Sequence, residues 1–233
     1  MRGSGIMSVG ILAGMGFFAA FMLSKTQHTF SDRIEANERA WEMRQIRELL
    51  KETDYDNDVF SDLIYIDSNT ADAQLLGSDE RPYICRARLN DKARAAVFQV
   101  TAQNGYSGPI RLLVGIYADG RLAGVRVASH RETPGLGDKI EARNTDWILQ
   151  FNGRSLRDPS EAEWLVKKDG GNFDQITGAT VSPRAVVKAV KNALIYFNMH
   201  RDEIFERPAE PLEPEASSPN QSSSIGPSPH VLS

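Results

Sequence analysis

Cysteine is nearly absent from this chain: of 233 residues only Cys85 is one. A single thiol can form neither an intramolecular disulfide nor, alone, a thiolate zinc or iron–sulfur site. A domain working in an oxidising compartment therefore does so without covalent staples. A surplus of positive charge is missing as well. Lys and Arg number 27 against 31 Asp and Glu, a formal charge of −4. No basic stripe offsets the acidic surface, which excludes nucleic acid as the main partner. There is no internal repeat, and only one long hydrophobic run, which excludes a polytopic membrane protein. The 41% hydrophobic and 25% charged residues are those of a chain with a packed core.

The one run is Ile6 to Leu23, IMSVGILAGMGFFAAFML, 18 uncharged residues between Arg2 and Lys25. As a helix it covers about 27 Å, enough for a hydrocarbon core of roughly 30 Å when flanking residues help. It is longer than the apolar region of a secretory signal and ends FMLSKTQ, without the small-residue spacing of a cleavage site. The expectation is an uncleaved single-pass anchor over residues 6–24, preceded by a tail of residues 1–5. The charges on its two flanks balance too closely to orient it. For a short N-terminal anchor of this kind the expectation is that the rest of the chain lies outside the membrane, which in a bacterium is the periplasmic side of the inner (plasma) membrane.

Residues 25–53 follow as a juxtamembrane helix. From Asp32 to Lys51 good helix formers dominate, and Ala36, Ala40, Met43, Ile46, Leu49 and Leu50 recur at three- and four-residue intervals. In TDYDNDVF, Asp54, Asp56 and Asp58 occupy the first three ligand positions of an EF-hand loop. Val59 then stands where that loop needs glycine and Tyr65 where it needs glutamate, so a solvated turn is the better reading. Strands are expected between Tyr83 and Val127. The clearest pair, Arg111–Tyr117 and Leu122–Ala128, is joined across Asp119-Gly120, with a further strand at Ala95–Thr101. Helices are expected near Ala142–Phe151 and Glu161–Lys167 and from Pro183 to about Met199. The fold class is α+β, an antiparallel sheet backed by helices, over residues 54–206. Residues 207–233 form a tail too rich in proline and serine to bury a core, expected to be disordered.

Chemistry concentrates in Asp174 to Phe197, DQITGATVSPRAVVKAVKNALIYF. Ala185, Val186, Ala189, Val190, Ala193, Leu194 and Phe197 make one apolar helix face. Ser182 is a suitable N-cap and Pro183 suits the first helical position. Gly178 and Ala179 let a bulky ligand approach the backbone. Thr180 presents a hydroxyl near a helix N-terminus, where an anion is favoured. Spacing alone fits equally a phosphate beside a hydroxyl acceptor and an ordinary capped helix. The second unusual segment is His130 to Ile140, HRETPGLGDKI. Its glycines lack the spacing of a dinucleotide fingerprint, and His130, Glu132 and Asp138 on one loop make a poor metal set. The preferred reading is a glycine-bared loop against a flat ligand, with polar residues at its rim.

These residues resemble a known family, the G subunits of the Rnf ion-translocating electron-transport complex, which are related to the C subunits of the sodium-translocating NADH:quinone reductase. The flavinylation motif of that family's FMN-binding domain, D-x-x-[S/T]-G-A-T, reads here Asp174-Gln-Ile-Thr177-Gly178-Ala179-Thr180. HRETPGLGDKIE, YDND (Tyr55 to Asp58) and DWILQFNG (Asp146 to Gly153) are similar too. The likeness runs from the anchor to about Phe205. One departure is Pro183, where the extended motif often has Ser or Thr; Ser182 stands one place earlier.

The resemblance implies FMN esterified through its phosphate to the hydroxyl of Thr180, installed from FAD by a separate flavin transferase using magnesium. Asp174, Thr177, Gly178, Ala179 and Ser182 would shape the attachment turn. Glu132, Thr133, Gly135, Leu136 and Gly137 would lie against the isoalloxazine. It implies no catalytic side chain and no metal of the chain's own. The chain would relay electrons within a membrane complex that couples ferredoxin–NAD electron transfer to ion movement, with the complex's other proteins, the transferase and the lipid bilayer as partners. Two other readings stand beside it. One is a non-redox, membrane-tethered binding or assembly module; the other is the equivalent component of a sodium-translocating NADH:quinone reductase.

Overall fold

A computed structural model describes residues 14–17, 40–41, 43–77 and 82–211. Five strands form one antiparallel sheet in sequence order: β1 (Leu63–Tyr65), β2 (Tyr83–Leu89), β3 (Lys92–Ala102), β4 (Ile110–Tyr117) and β5 (Leu122–Ser129). Local turn chemistry explains the order. Asn90 and Asp91, both at positive φ, close β2 onto β3, and Gly120, at φ +89°, closes β4 onto β5. The expected Asp-Gly hairpin is present, with Val114 opposite Val125 and Gly115 opposite Gly124.

Both faces of the sheet are covered, and alternation along β3 shows how. Ala96, Phe98 and Val100 belong to one core, Ala95 and Val97 to the other. On the second face lies a helix, α1, whose described stretch 43–49 packs through Ile46, Leu49 and neighbouring Leu50. The long helix α2 (Val181–Glu206) seals the first face, where the rings of Tyr196 and Phe197 meet the Phe98 ring edge to face. The expected α+β architecture with an antiparallel sheet is therefore the observed one.

Three expectations need correction. The helix expected at Ala142–Phe151 is only the 3₁₀ segment Asp146–Phe151, and the one at Glu161–Lys167 breaks into 3₁₀ turns at Glu161–Glu163 and Lys167–Asp169. Ile148 and Phe151, three apart, are the residues buried from the first, the spacing that a three-residue turn stacks on one side. The last helix starts at Val181 and continues past the expected end. Its backbone leaves helical geometry at His200 and resumes to Glu206, because Ile204 is buried in the core beyond the break.

Asp54, Asp56 and Asp58 serve three separate partners, the Tyr117 hydroxyl, the Asn90 N–H and the Phe60 N–H. Residues 6–13 and 18–24 of the expected anchor, like most of 25–42, lie outside the described residues. Among the described residues no helix is long and apolar enough to cross a membrane. At the other end Glu210 bridges β1, its N–H donating to the Leu63 carbonyl at 2.8 Å. Residues 212–233 lie outside the described residues.

Candidate functional site

At one end of the sheet three segments distant in sequence meet around a single carboxylate. Glu132 follows β5 closely and is buried. One of its oxygens accepts the backbone N–H of Ser107 at 3.1 Å, from the β3–β4 connection. The other accepts the hydroxyl of Ser182 at 2.6 Å, from the first turn of α2. The Glu132 N–H donates to Nδ1 of His130 at 2.9 Å. That ring nitrogen is thus an acceptor, and Nε2 carries the proton toward Glu141, 2.5 Å away.

Space around this carboxylate is closed. A Cβ on Gly137 would stand 2.7 Å from a Glu132 oxygen and 3.0 Å from the Ser182 hydroxyl, and one on Gly105 would stand 2.8 Å from the other oxygen. Gly137 is therefore bare to admit a buried glutamate. Thr133, Gly135 and Leu136 do face outward, since the N–H groups of Leu136 and Gly137 fold back on the Thr133 carbonyl and push the loop tip into solvent. The polar residue expected at the rim, Glu132, instead lies beneath it.

The Asp174–Thr180 segment is held at its start and open at its end. The Asp174 N–H donates to the Gln150 side chain at 2.7 Å, and its carbonyl accepts the Trp147 indole N–H at 2.6 Å. The Asp174 carboxylate pairs with Lys167 at 2.5 Å. Ile176 and Ala179 then close a turn with Thr177 and Gly178 at its exposed tip. Gly178 adopts φ +83°, and a Cβ there would lie 3.2 Å from Leu136 of the facing loop. The two glycine-bearing loops thus abut at Gly178 and Leu136.

Thr180 occupies the position before α2, half-buried, and its hydroxyl makes no capping hydrogen bond. Ser182 does not cap the helix as expected. It lies inside the first turn, buried, because α2 already begins at Val181, and its hydroxyl donates to Glu132. Arg184 braces the same turn with a two-pronged contact to Asp169, 2.5 Å in each prong. That guanidinium holds the Asp169 carboxyl below the usual carboxylate range.

Trp147, Gln150, Lys167 and Ser107 escaped sequence reasoning. DWILQFNG stood out as a motif, but nothing in its spacing shows which side chains reach across 24 and 27 residues to Asp174. Exposed apolar side chains surround the convergence: Tyr106, Leu136 and Val181 are 72%, 44% and 40% exposed. A free hydroxyl at a helix N-terminus, a glycine turn held open against a leucine and bare apolar surface beside them fit a phosphate-linked flat ring.

Comparison with known proteins supplies the family. The FMN-binding domain family matches residues 105–195, a stretch that begins at Gly105 and takes in all three converging segments. Over 204 residues the chain is 44% identical to the G subunit of the ion-translocating oxidoreductase complex of Pseudomonas aeruginosa (strain UCBPP-PA14), covering 88% of this chain and 91% of that one. The chain belongs to this G-subunit family. Its members from Pseudoalteromonas atlantica and Vibrio vulnificus are 41% and 40% identical, over 84% and 80% of this chain and 89% and 86% of theirs. The resemblance carried by Asp174–Thr180 and His130–Glu141 is thereby established as family membership.

Proposed function

We propose that this chain is the flavin-carrying component of an Rnf-type ion-translocating oxidoreductase complex, anchored by residues 6–24 in the bacterial inner membrane with its FMN-binding domain on the periplasmic side. FMN is joined through its phosphate to Oγ1 of Thr180. The observation that carries this reading is the uncapped Thr180 hydroxyl, at the end of D-x-x-T-G-A-T and at the head of α2, in a member of the G-subunit family.

Each neighbouring residue has a part. Attachment exchanges one phosphate bond for another: the Thr180 oxygen takes the place of AMP on the riboflavin phosphate of FAD, in a flavin transferase that supplies magnesium. Backbone N–H groups at the start of α2 would be available to the phosphate, where the helix dipole favours negative charge. Gly178 and Ala179 leave the hydroxyl accessible to the transferase, and Thr177 lines the tip of the same turn. Asp174, fastened at both its backbone groups, fixes where that turn begins. The exposed face formed by Thr133, Gly135 and Leu136 receives the ring and keeps water from one side of it. Bound there, the flavin supplies reversible electron transfer, while the protein sets its orientation and potential. Donor and acceptor are other proteins of the complex, so no substrate pocket is required.

The test is chemical. Full-length protein co-expressed with its flavin transferase should keep fluorescence in its denatured band and gain the mass of FMN less water, on the peptide containing Thr180. Thr180→Ala should lose both. Fluorescence that survives in that variant, or a native peptide of unmodified mass, refutes the assignment.

A further inference from the structure

Among the described residues the buried polar side chains are Arg86, Glu132 and Ser182. Arg86 lies at the far end of α2, against Ile204 and Arg207. The other two are bonded to each other inside the flavin end. Burying a carboxylate is costly unless its oxygens are answered. Here each oxygen is answered by a different segment, one by Ser107 and one by Ser182. Gly137 is bare where a Cβ would collide with it, 2.7 Å from one oxygen, and a Cβ on Gly105 would meet the Gly108 carbonyl first, at 2.2 Å, and then the other oxygen at 2.8 Å. That is more than packing requires, since an apolar side chain of the same volume would fill the space without any of these conditions.

We propose that Glu132 is the positioning residue of the flavin cradle: its buried carboxylate ties the 105–107 turn, the 132–137 loop and the first turn of α2 together, and lays a fixed negative charge behind the surface that receives the ring. The proposal rests on the reading that flavin is esterified to Thr180. Thr180 is two residues from Ser182, so the hydrogen bond that seats Ser182 also sets where the acceptor hydroxyl stands. Leu136, whose side chain faces Gly178, is carried by the loop that Glu132 begins. Both oxygens of Glu132 act as acceptors, the pattern an ionised carboxylate satisfies. A charge held in the interior is screened little by salt. Reduction adds an electron to the flavin, so a fixed negative charge nearby opposes it and lowers the reduction potential.

Two variants separate the tether from the charge. Glu132→Gln keeps an acceptor for the Ser107 N–H and offers its amide N–H to the Ser182 oxygen, so the tether persists and the charge goes. Glu132→Ala removes both. In full-length protein co-expressed with the transferase, Glu132→Gln should retain covalent flavin and show a higher midpoint potential than wild type in a spectroelectrochemical titration. Glu132→Ala should slow attachment about tenfold or more. In apoprotein it should also speed hydrogen exchange over residues 105–108 and 181–185 by a similar factor. Should that variant fail to accumulate, Ser182→Ala cuts one arm alone and should move exchange over 181–185 the same way.

An unchanged potential in Glu132→Gln overturns the charge role. Unchanged exchange in Glu132→Ala, or in Ser182→Ala where that stands in for it, overturns the tether. If wild type carries no covalent flavin, the attachment reading fails by itself, and exchange in the apoprotein still decides whether Glu132 joins the three segments.

Discussion

The two ends of α2 are built on opposite principles. At its C-terminal end the last carbonyls are claimed by two arginines from β2. Arg86 donates to the carbonyls of Ile204 and Arg207 at 3.0 and 2.5 Å, and Arg88 to that of Phe205 at 2.9 Å. Both arginines also hold Asp62. Burial pulls the Arg86 guanidinium down from its ordinary range, and Asp62 offsets part of that pull. The cleft of about 520 Å³ at this end has its acids occupied in the same way, Asp119 by Arg121 and Asp54 by the Tyr117 hydroxyl. At the N-terminal end Thr180 caps nothing, and apolar side chains stand in solvent. Orphan backbone groups at helix ends are normally satisfied. Both ends are braced by a salt-bridged arginine, but only the C-terminal end has its last carbonyls answered by side chains, whereas Thr180, where we propose the flavin, makes no cap.

That contrast can be broken most sharply by a pair of truncations. Thr180→Ala should remove all covalent flavin and leave urea stability within about 0.5 kcal/mol of apo wild type, the range of substitutions that break no such feature. Arg86→Ala should do the reverse. It leaves the Ile204 and Arg207 carbonyls unanswered and Asp62 with Arg88 alone, which should cost about 2–4 kcal/mol in urea unfolding, while the molecules that remain folded accept flavin as before. If Arg86→Ala abolishes attachment in folded protein, the two ends are not independent.

A pH titration refines the picture of the middle of the helix. Burial, followed by the Glu203 charge, pushes the Tyr196 phenol up to about 12. The folded state then keeps a proton that the unfolded state releases near pH 10. This contribution is intact below pH 10 and lost as pH rises from 10 through about 12. Urea midpoints across that window should fall more steeply for wild type than for Tyr196→Phe. Trp147→Phe should have the smallest effect. It keeps the ring beside Phe151 and loses one hydrogen bond to Asp174, about 1 kcal/mol by urea unfolding.

Much of this arrangement is legible in the sequence, and particular residues show why the rest is not. The β4–β5 hairpin and α2 rest on neighbours in the chain: Asp119-Gly120 dictates a turn, and a 3.6-residue apolar stripe dictates a helix. The small residues Gly178 and Ala179 mark the turn before α2 for the same local reason. Ser182 misleads because its partner lies 50 residues away. A serine before a proline reads as a cap, but α2 already begins at Val181, and no local pattern announces the buried carboxylate that draws the hydroxyl inward. Glu132 likewise reads as a loop rim residue, because only the folded sheet brings Ser107 beneath it. The 3₁₀ turns around Trp147 and Glu161 read as α-helices because their composition suits either; the packing of Ile148 and Phe151 selects the tighter winding.

The bridge between Glu210 and Leu63 has a bearing on self-association. β1 is a three-residue border of the sheet, and borders with open amides and carbonyls recruit strands from other molecules. Glu210 answers that border at one point, with its N–H on the Leu63 carbonyl and its side chain on the Tyr65 N–H. A shortened version ending at Glu206 would keep α2 yet uncover a ready template for stacking one copy against the next.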